Sequence, residues 1–175
     1  MKKIAFTDFE MSGLDPNKHE IIEFGVVVAD ADTLEVIAEM DKKVRMEHPE
    51  TGNPDSLAFA GYREENWASA ASIQEGLEEY SKIAEGALFA AWNTPSDWNF
   101  LAQAYKNTGI KNPLDYHTLD IFGIAFEKLR KDPMINIWKL SALCQDLGIE
   151  KEPMPHRAIN GARKAYEVYK KLREI

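Results

Sequence analysis

Lys3 to Phe9 is a short, largely apolar stretch, Glu20 to Ala29 (EIIEFGVVVA) is a nearly unbroken β-branched run, and Glu35 to Val44 follows soon after. All three read as strands, the second of them buried. Asp15-Pro16-Asn17 and Asp30 to Thr33 carry turn chemistry between them, so an antiparallel meander is expected. After residue 50 the spacing changes. It predicts a helix around Ser72 to Ala84, a short strand at Ala87 to Trp92, a helix from about Pro95 to Asn107 and a strand near Tyr116. Helices follow at about Leu119 to Lys131, Trp138 to Leu147 and Ala158 to Leu172, the last with Ala162, Ala165, Tyr166, Tyr169 and Leu172 on one stripe. Three strands followed by strands separated by helices imply an α/β fold, a mixed sheet with helices on both faces.

Composition narrows the class. The chain has 175 residues, with no Pro/Gly/Ser-rich linker and no repeat, which suits a single domain over 1–175. No apolar run approaches the roughly 18 residues of a membrane span, and Asp8 and Glu10 arrive before any stretch long enough for a secretion signal. Cys144 is the only cysteine, so neither an internal disulfide nor a cysteine-based zinc site can form, and a reducing, cytoplasmic setting is expected. The net charge of −8 disfavours tight nonspecific binding to long nucleic acid, but it is uneven: residues 151–175 hold seven basic and three acidic side chains. That basic tail reads either as a solvated helix face or as a surface for phosphates.

Some polar residues need a reason. Asp8 and Glu10 lie two apart on a strand, so their carboxylates share one face of the sheet, where they repel unless a divalent cation sits between them or the strand end frays into water. Asp97 opens the helix after Ala87 to Trp92, at the strand end where ligands sit in α/β sheets. Its alternative role is capping, with Thr94 as N-cap and Pro95 in the first turn. His156, after Pro153 and Pro155, lies just before the last helix, where the positive dipole end favours the neutral, proton-accepting imidazole.

In chain order, TDFEMSGLDP, HEIIEFGVVVAD, AAWNTPSDWNFL, YHTLDIFGIAF and KLSALCQDLGI…PHRAINGARKAY resemble the blocks of the DnaQ-like 3′-5′ exonucleases of the DEDDh type, across about residues 3 to 172. The resemblance implies a ribonuclease-H-like fold with a five-stranded mixed sheet flanked by helices. It implies Asp8, Glu10 and Asp97 as ligands of two divalent cations, Mg²⁺ or Mn²⁺, and His156 as general base. Leu14 would press on the terminal bases, and Asn93 matches a polar position of the second block. The expected reaction is hydrolysis at the 3′ end of single-stranded DNA or RNA, releasing 5′ mononucleotides. The implied partners are the single strand itself and either a second copy of the chain or a polymerase.

The resemblance fails at one ligand. Five residues after His156 such proteins carry an aspartate that completes the metal cage, and this chain carries Gly161. Impaired cleavage is therefore expected, and the competing class is an exonuclease-fold module that binds nucleic acid or a protein without cutting. Ser96, where an aromatic residue is common, is a smaller departure that bears on substrate fit.

Overall fold

Strands β1 (Lys3–Met11), β2 (Ile21–Asp30) and β3 (Val36–Lys43) form the antiparallel meander in a computed structural model that describes residues 2–150 and 155–175. Helices α1 (Pro54–Phe59), α2 (Glu64–Trp67) and α3 (Ile73–Ile83) come next, then β4 (Ala87–Ala91), α4 (Thr94–Thr108) and β5 (Thr118–Asp120). The chain closes with α5 (Ile121–Leu129), α6 (Leu140–Asp146) and α7 (Ala158–Glu174). Strand order is β3-β2-β1-β4-β5, with β4 and β5 parallel to β1, so the sheet is mixed and five-stranded. Every residue of β2 except Asp30 is buried, because both of its faces are covered.

Two cores result. Ile4, Phe6, Val27 and Ala90 pack with α5, α6 and α7, while Ala5, Phe9, Phe24 and Phe89 pack on the opposite face with α3 and α4. The alternation along β1 sends Asp8 to the face of Phe6 and Ile4. β1 is longer than its neighbour: pairing with β4 stops at Phe6↔Ala90, whereas pairing with β2 runs on to Met11↔Ile21. Residues 7–11 of β1 therefore run on beyond the pairing with β4.

Gly25 faces Asp8 across the β1–β2 ladder. A Cβ there would fall onto the backbone of Ala158 and Ile159, so the first turn of α7 rests directly on the sheet. The helix is tied down by Tyr166, whose hydroxyl donates to Leu34 O at 2.7 Å, and by Arg163, which pairs with Glu39 of β3 at 2.5 Å. Part of the basic excess near the C-terminus is thus spent on β3 carboxylates. Pro153 and Lys151 lie outside the described residues.

Several element starts differ from the sequence reading. β5 begins at Thr118, two residues after the exposed Tyr116, and α5 begins at Ile121 because Asp120 caps it, accepting from Gly123 N at 2.7 Å. Trp138 is exposed ahead of α6. α1 and α2 were not anticipated at all. Thr94 is not the N-cap of α4: it is the first helical residue, with its N–H donated to Asp120 Oδ2 at 2.9 Å and its hydroxyl to Leu119 O at 3.0 Å. Those bonds join α4 to the end of β5. No described helix is long and apolar enough to cross a membrane.

Gly25→Ala is expected to destabilise the protein by about 1–3 kcal/mol, the usual cost of overpacking, because backbone rather than a mobile side chain lies in the way. A urea denaturation curve checks it, and an unchanged midpoint would show that α7 can lift without loss.

Candidate active site

Asp8 and Glu10 stand on the part of β1 that projects beyond β4, and His156 reaches them from the residue before Arg157, the N-cap of α7. Ligand atoms of the three lie within 4.8 Å of one another. Glu10 is 6% exposed and its Oε1 is 2.7 Å from His156 Nδ1. The imidazole is stacked on Phe59 at the end of α1, ring centroids 4.7 Å apart and planes inclined by 28°. One face of the ring and one of its nitrogens are therefore held in place.

Asp97 lies in the first turn of α4 and is buried, with its Oδ1 accepting the Phe9 N–H at 3.0 Å. That N–H belongs to the residue between Asp8 and Glu10, and it needs a side-chain acceptor because β1 there has no β4 neighbour. Asp97 thus ties the projecting strand to the first turn of α4, whose N-cap is Asn93. Burial, with the Glu10 charge as a smaller contribution, pushes its carboxyl up to about 7. Asp97 stands outside the 4.8 Å cluster.

Gly161 lies on α7 against Asp8. A Cβ at this position would come within 2.6 Å of Asp8 Cγ, so the Asp8 carboxylate fills the space next to the helix. Leu14 is 89% exposed at the lip of a cleft it shares with Met11, Gly13, Asp55, Phe59 and His156. Asn93, the N-cap of α4, is exposed and makes no capping bond with its side chain.

Two features escaped the sequence reading. α1 reaches the cleft because Asn53 caps it, accepting from Asp55 N and Ser56 N at 3.0 Å, while Asn53 N donates to Ser12 O at 2.7 Å. Asn-Pro-Asp at 53–55 is helix-start chemistry and could have revealed it. The second is Glu23, directly opposite Glu10 and fully buried. Its Oε1 accepts from Arg157 Nε at 2.6 Å and from Ala158 N at 3.2 Å, and Arg157 goes on to Asp41 at 2.8 Å. Burial raises the proton affinity of Glu23 against the pull of Arg157. Its Oε2 has no hydrogen-bond partner among the described residues. A charged residue inside an otherwise apolar strand was the available sign.

A buried acidic group beside a second carboxylate and an imidazole, all at the end of the central strand of a mixed α/β sheet, is a donor set suited to a hard divalent cation. The family described as exonuclease, RNase_T, matches residues 5–169, and the chain belongs to it. Among curated proteins, it is 28% identical over 170 residues to a DNA polymerase III PolC-type from Thermotoga petrophila, an alignment covering 96% of this chain and 12% of the polymerase. It is 41% identical over 82 residues to an oligoribonuclease from Bordetella pertussis, covering 47% of this chain and 40% of that protein. The alignments thus span well under two thirds of these relatives. Among solved structures, the nuclease domain of 3′hExo, a DEDDh family member bound to rAMP, superposes with a TM-score of 0.78 at 20% identity, covering 98% of this chain and 92% of that one. Exonuclease I of E. coli in complex with a dA16 oligonucleotide gives 0.83 at 15% identity, covering 99% and 41%. These structures share the ribonuclease-H-like fold, and DEDDh exonucleases generally use divalent metal ions.

Asp97 sets a pH dependence. Its folded carboxyl titrates well above the unfolded one, so its contribution to stability is present below about pH 4 and is lost as the pH rises through about 7. In metal-free buffer the thermal midpoint of the parent is expected to fall relative to that of Asp97→Asn across that interval. Parallel curves for the two proteins would contradict it.

Proposed function

We propose that this chain is a metal-dependent 3′-5′ exonuclease that hydrolyses the last phosphodiester of single-stranded DNA or RNA and releases 5′ mononucleotides. The convergence of Asp8, Glu10 and His156, with Asp97 bound to the strand between the first two, carries this reading. Membership of the exonuclease family supports it. The likeness to a segment of a PolC-type polymerase supports a polymerase as one setting for such an activity.

Asp8, Glu10 and Asp97 are the groups that would hold cations, and their mutual repulsion fits that role. Bound Mg²⁺ or Mn²⁺ supplies charge neutralisation at the phosphoryl oxygens and acidifies water. His156 accepts the proton of the attacking water at Nε2 while its Nδ1–H, donated to Glu10, stabilises the imidazolium that forms. The water oxygen bonds to phosphorus, the P–O3′ bond breaks, and a proton returns to the departing 3′ oxygen. Phe59 keeps the imidazole plane from rotating during this transfer. Leu14 offers an apolar face to a base without reading its identity, which suits an enzyme that degrades any sequence.

The fourth carboxylate is missing, and Asp8 occupies the space at Gly161. Asp8, Glu10 and Asp97 would hold the cations without a fourth carboxylate, so cleavage is slowed rather than absent. The test uses short 5′-labelled single-stranded DNA and RNA with Mg²⁺, Mn²⁺ or EDTA. The parent should shorten both slowly, EDTA should stop it, and Asp8→Asn should lose about 100-fold or more. Gly161→Asp, in which Asp8 must rotate aside, should cut at least about tenfold faster than the parent. Equal rates would overturn the impairment, and no shortening by any form would overturn the exonuclease in favour of a binding module.

A further inference from the structure

The loop between β1 and β2 carries Leu14 to the lip of the cleft, and a histidine outside the carboxylate cluster lies within it. Ser12 closes the base of the loop, its N–H donated to Glu20 O at 2.8 Å and its hydroxyl accepting from Glu20 N at 2.9 Å. His19 is half-buried against the turn. We propose that His19 is a positioning residue for the terminal nucleoside: its neutral imidazole, by accepting the Asp15 N–H, holds the lip on which Leu14 stands. The proposal rests on the exonuclease reading, in which Leu14 meets a base, and it adds what fixes the place of that side chain.

Contact is the first ground, because the ring touches both neighbours of Leu14. A Cβ at Gly13 would fall onto the Cγ, Cδ2 and Nε2 atoms of His19, so the backbone before Leu14 lies directly on the ring. The Asp15 N–H, on the other side, is donated to His19 Nδ1 at 3.0 Å. Leu14 itself is 89% exposed and has little packing of its own to place it. Its position is therefore set through residues 13 and 15, and both are set by one imidazole.

The chemistry of that bond is the second ground. Nδ1 accepts only while it carries no proton, which puts the single proton of the neutral ring on Nε2. An imidazolium would set an N–H against the Asp15 N–H. It would have to turn to Asp15 O, 3.2 Å away, which already accepts from Lys18 N at 3.0 Å and from His19 N at 2.8 Å. Protonation thus leaves an N–H of the lip without its acceptor. The charged groups around the ring are otherwise engaged or distant in the fold. On the loop, the Asp15 carboxylate accepts from Asn17 and pairs with Lys18, and the Glu20 carboxylate accepts the N–H groups of Glu47 and His48. Arg45 and Glu47 face His19 across a cavity of about 310 Å³ whose α3 and α4 walls bear no charged side chain, and Asp55 of α1 lies in the cleft with Gly13.

The experiment measures KM and kcat on a 5′-labelled oligothymidylate in Mn²⁺ for the parent, His19→Ala, His19→Asn and Leu14→Ala. His19→Ala should raise KM about fivefold, the equivalent of one lost hydrogen bond, and leave kcat within about twofold. His19→Asn, whose Oδ1 takes the place of Nδ1 and accepts at every pH, should restore the parent's KM. In the Leu14→Ala background the His19→Ala change should cost almost nothing, because the side chain it positions is gone. Between about pH 8 and about pH 5.5, where imidazoles take up a proton, the parent's KM should rise about fivefold more than that of His19→Asn, the contribution of His156 being common to both. Independently of cleavage, the nitrogen NMR spectrum of the histidine-labelled parent at about pH 8 should show His19 protonated at Nε2 and bare at Nδ1, with His19→Asn identifying its signals. Thermal unfolding verifies that each variant is folded, and where His19→Ala is not, the pH comparison and the nitrogen spectrum decide. A folded His19→Asn as poor as His19→Ala, a His19→Ala cost undiminished by Leu14→Ala, or a proton on Nδ1 of the neutral ring overturns the positioning role and leaves the exonuclease reading standing. A parent that cuts nothing in any metal overturns that reading and the role of His19 with it, whatever the spectrum shows.

Discussion

The contact of the first turn of α7 with β2 at Gly25 is backbone against backbone, closer than any side chain would permit, and the geometry of the site follows from it. Because the helix starts there, its N-terminal N–H at Ala158 meets the buried Glu23, and Arg157 is drawn inward to the same carboxylate. The preceding residue is then His156, which arrives over Glu10, the cross-strand neighbour of Glu23. One turn further on, Gly161 comes to rest against Asp8. A bulkier residue at position 25 would move all of these together.

The site concentrates negative charge where water is scarce. Glu10, Glu23 and Asp97 are buried, and Asp8 lies beside them, an arrangement that costs free energy unless hydrogen bonds, ion pairs or cations compensate. Each carboxylate has a different answer. Glu23 has Arg157, Glu10 has the imidazole, and Asp97 has a backbone N–H together with a raised proton affinity. Burial raises the Asp97 carboxyl, and a divalent ion held beside it would act against that effect by favouring the carboxylate. At Gly161 the helix presents no side chain, and the Asp8 carboxylate occupies the space against it.

Much of this was legible in the chain. The apolar run of β2, the turn residues around Asp15 and Asp30, and the apolar stripe of α7 announce a meander and a covering helix, because hydrophobic periodicity is a local property. The Asp8/Glu10 pair, Asp97 and His156 stood out because polar groups in apolar surroundings demand a partner, and the order of the blocks tied them to one family. Gly161 stood out because the resemblance places an aspartate there. Asn-Pro-Asp at 53–55 was equally plain but was passed over, and with it went α1 and the ring of Phe59.

The sequence by itself determined the α/β class, the number and order of the strands, and which acidic and imidazole groups were candidates for chemistry. Tertiary structure alone decided what each of them touches. Asp97 looked like a helix cap, since Thr94-Pro95-Ser96-Asp97 satisfies every local rule for one, yet its carboxylate is taken by Phe9, 88 residues away, because β1 outruns β4 at that point. Glu23 looked like one more residue in a buried strand, and its partner Arg157 lies 134 residues on. Spacing reports which face of an element a residue occupies, but the identity of a partner across the fold depends on where strands end and how closely helices approach, and both are set by packing.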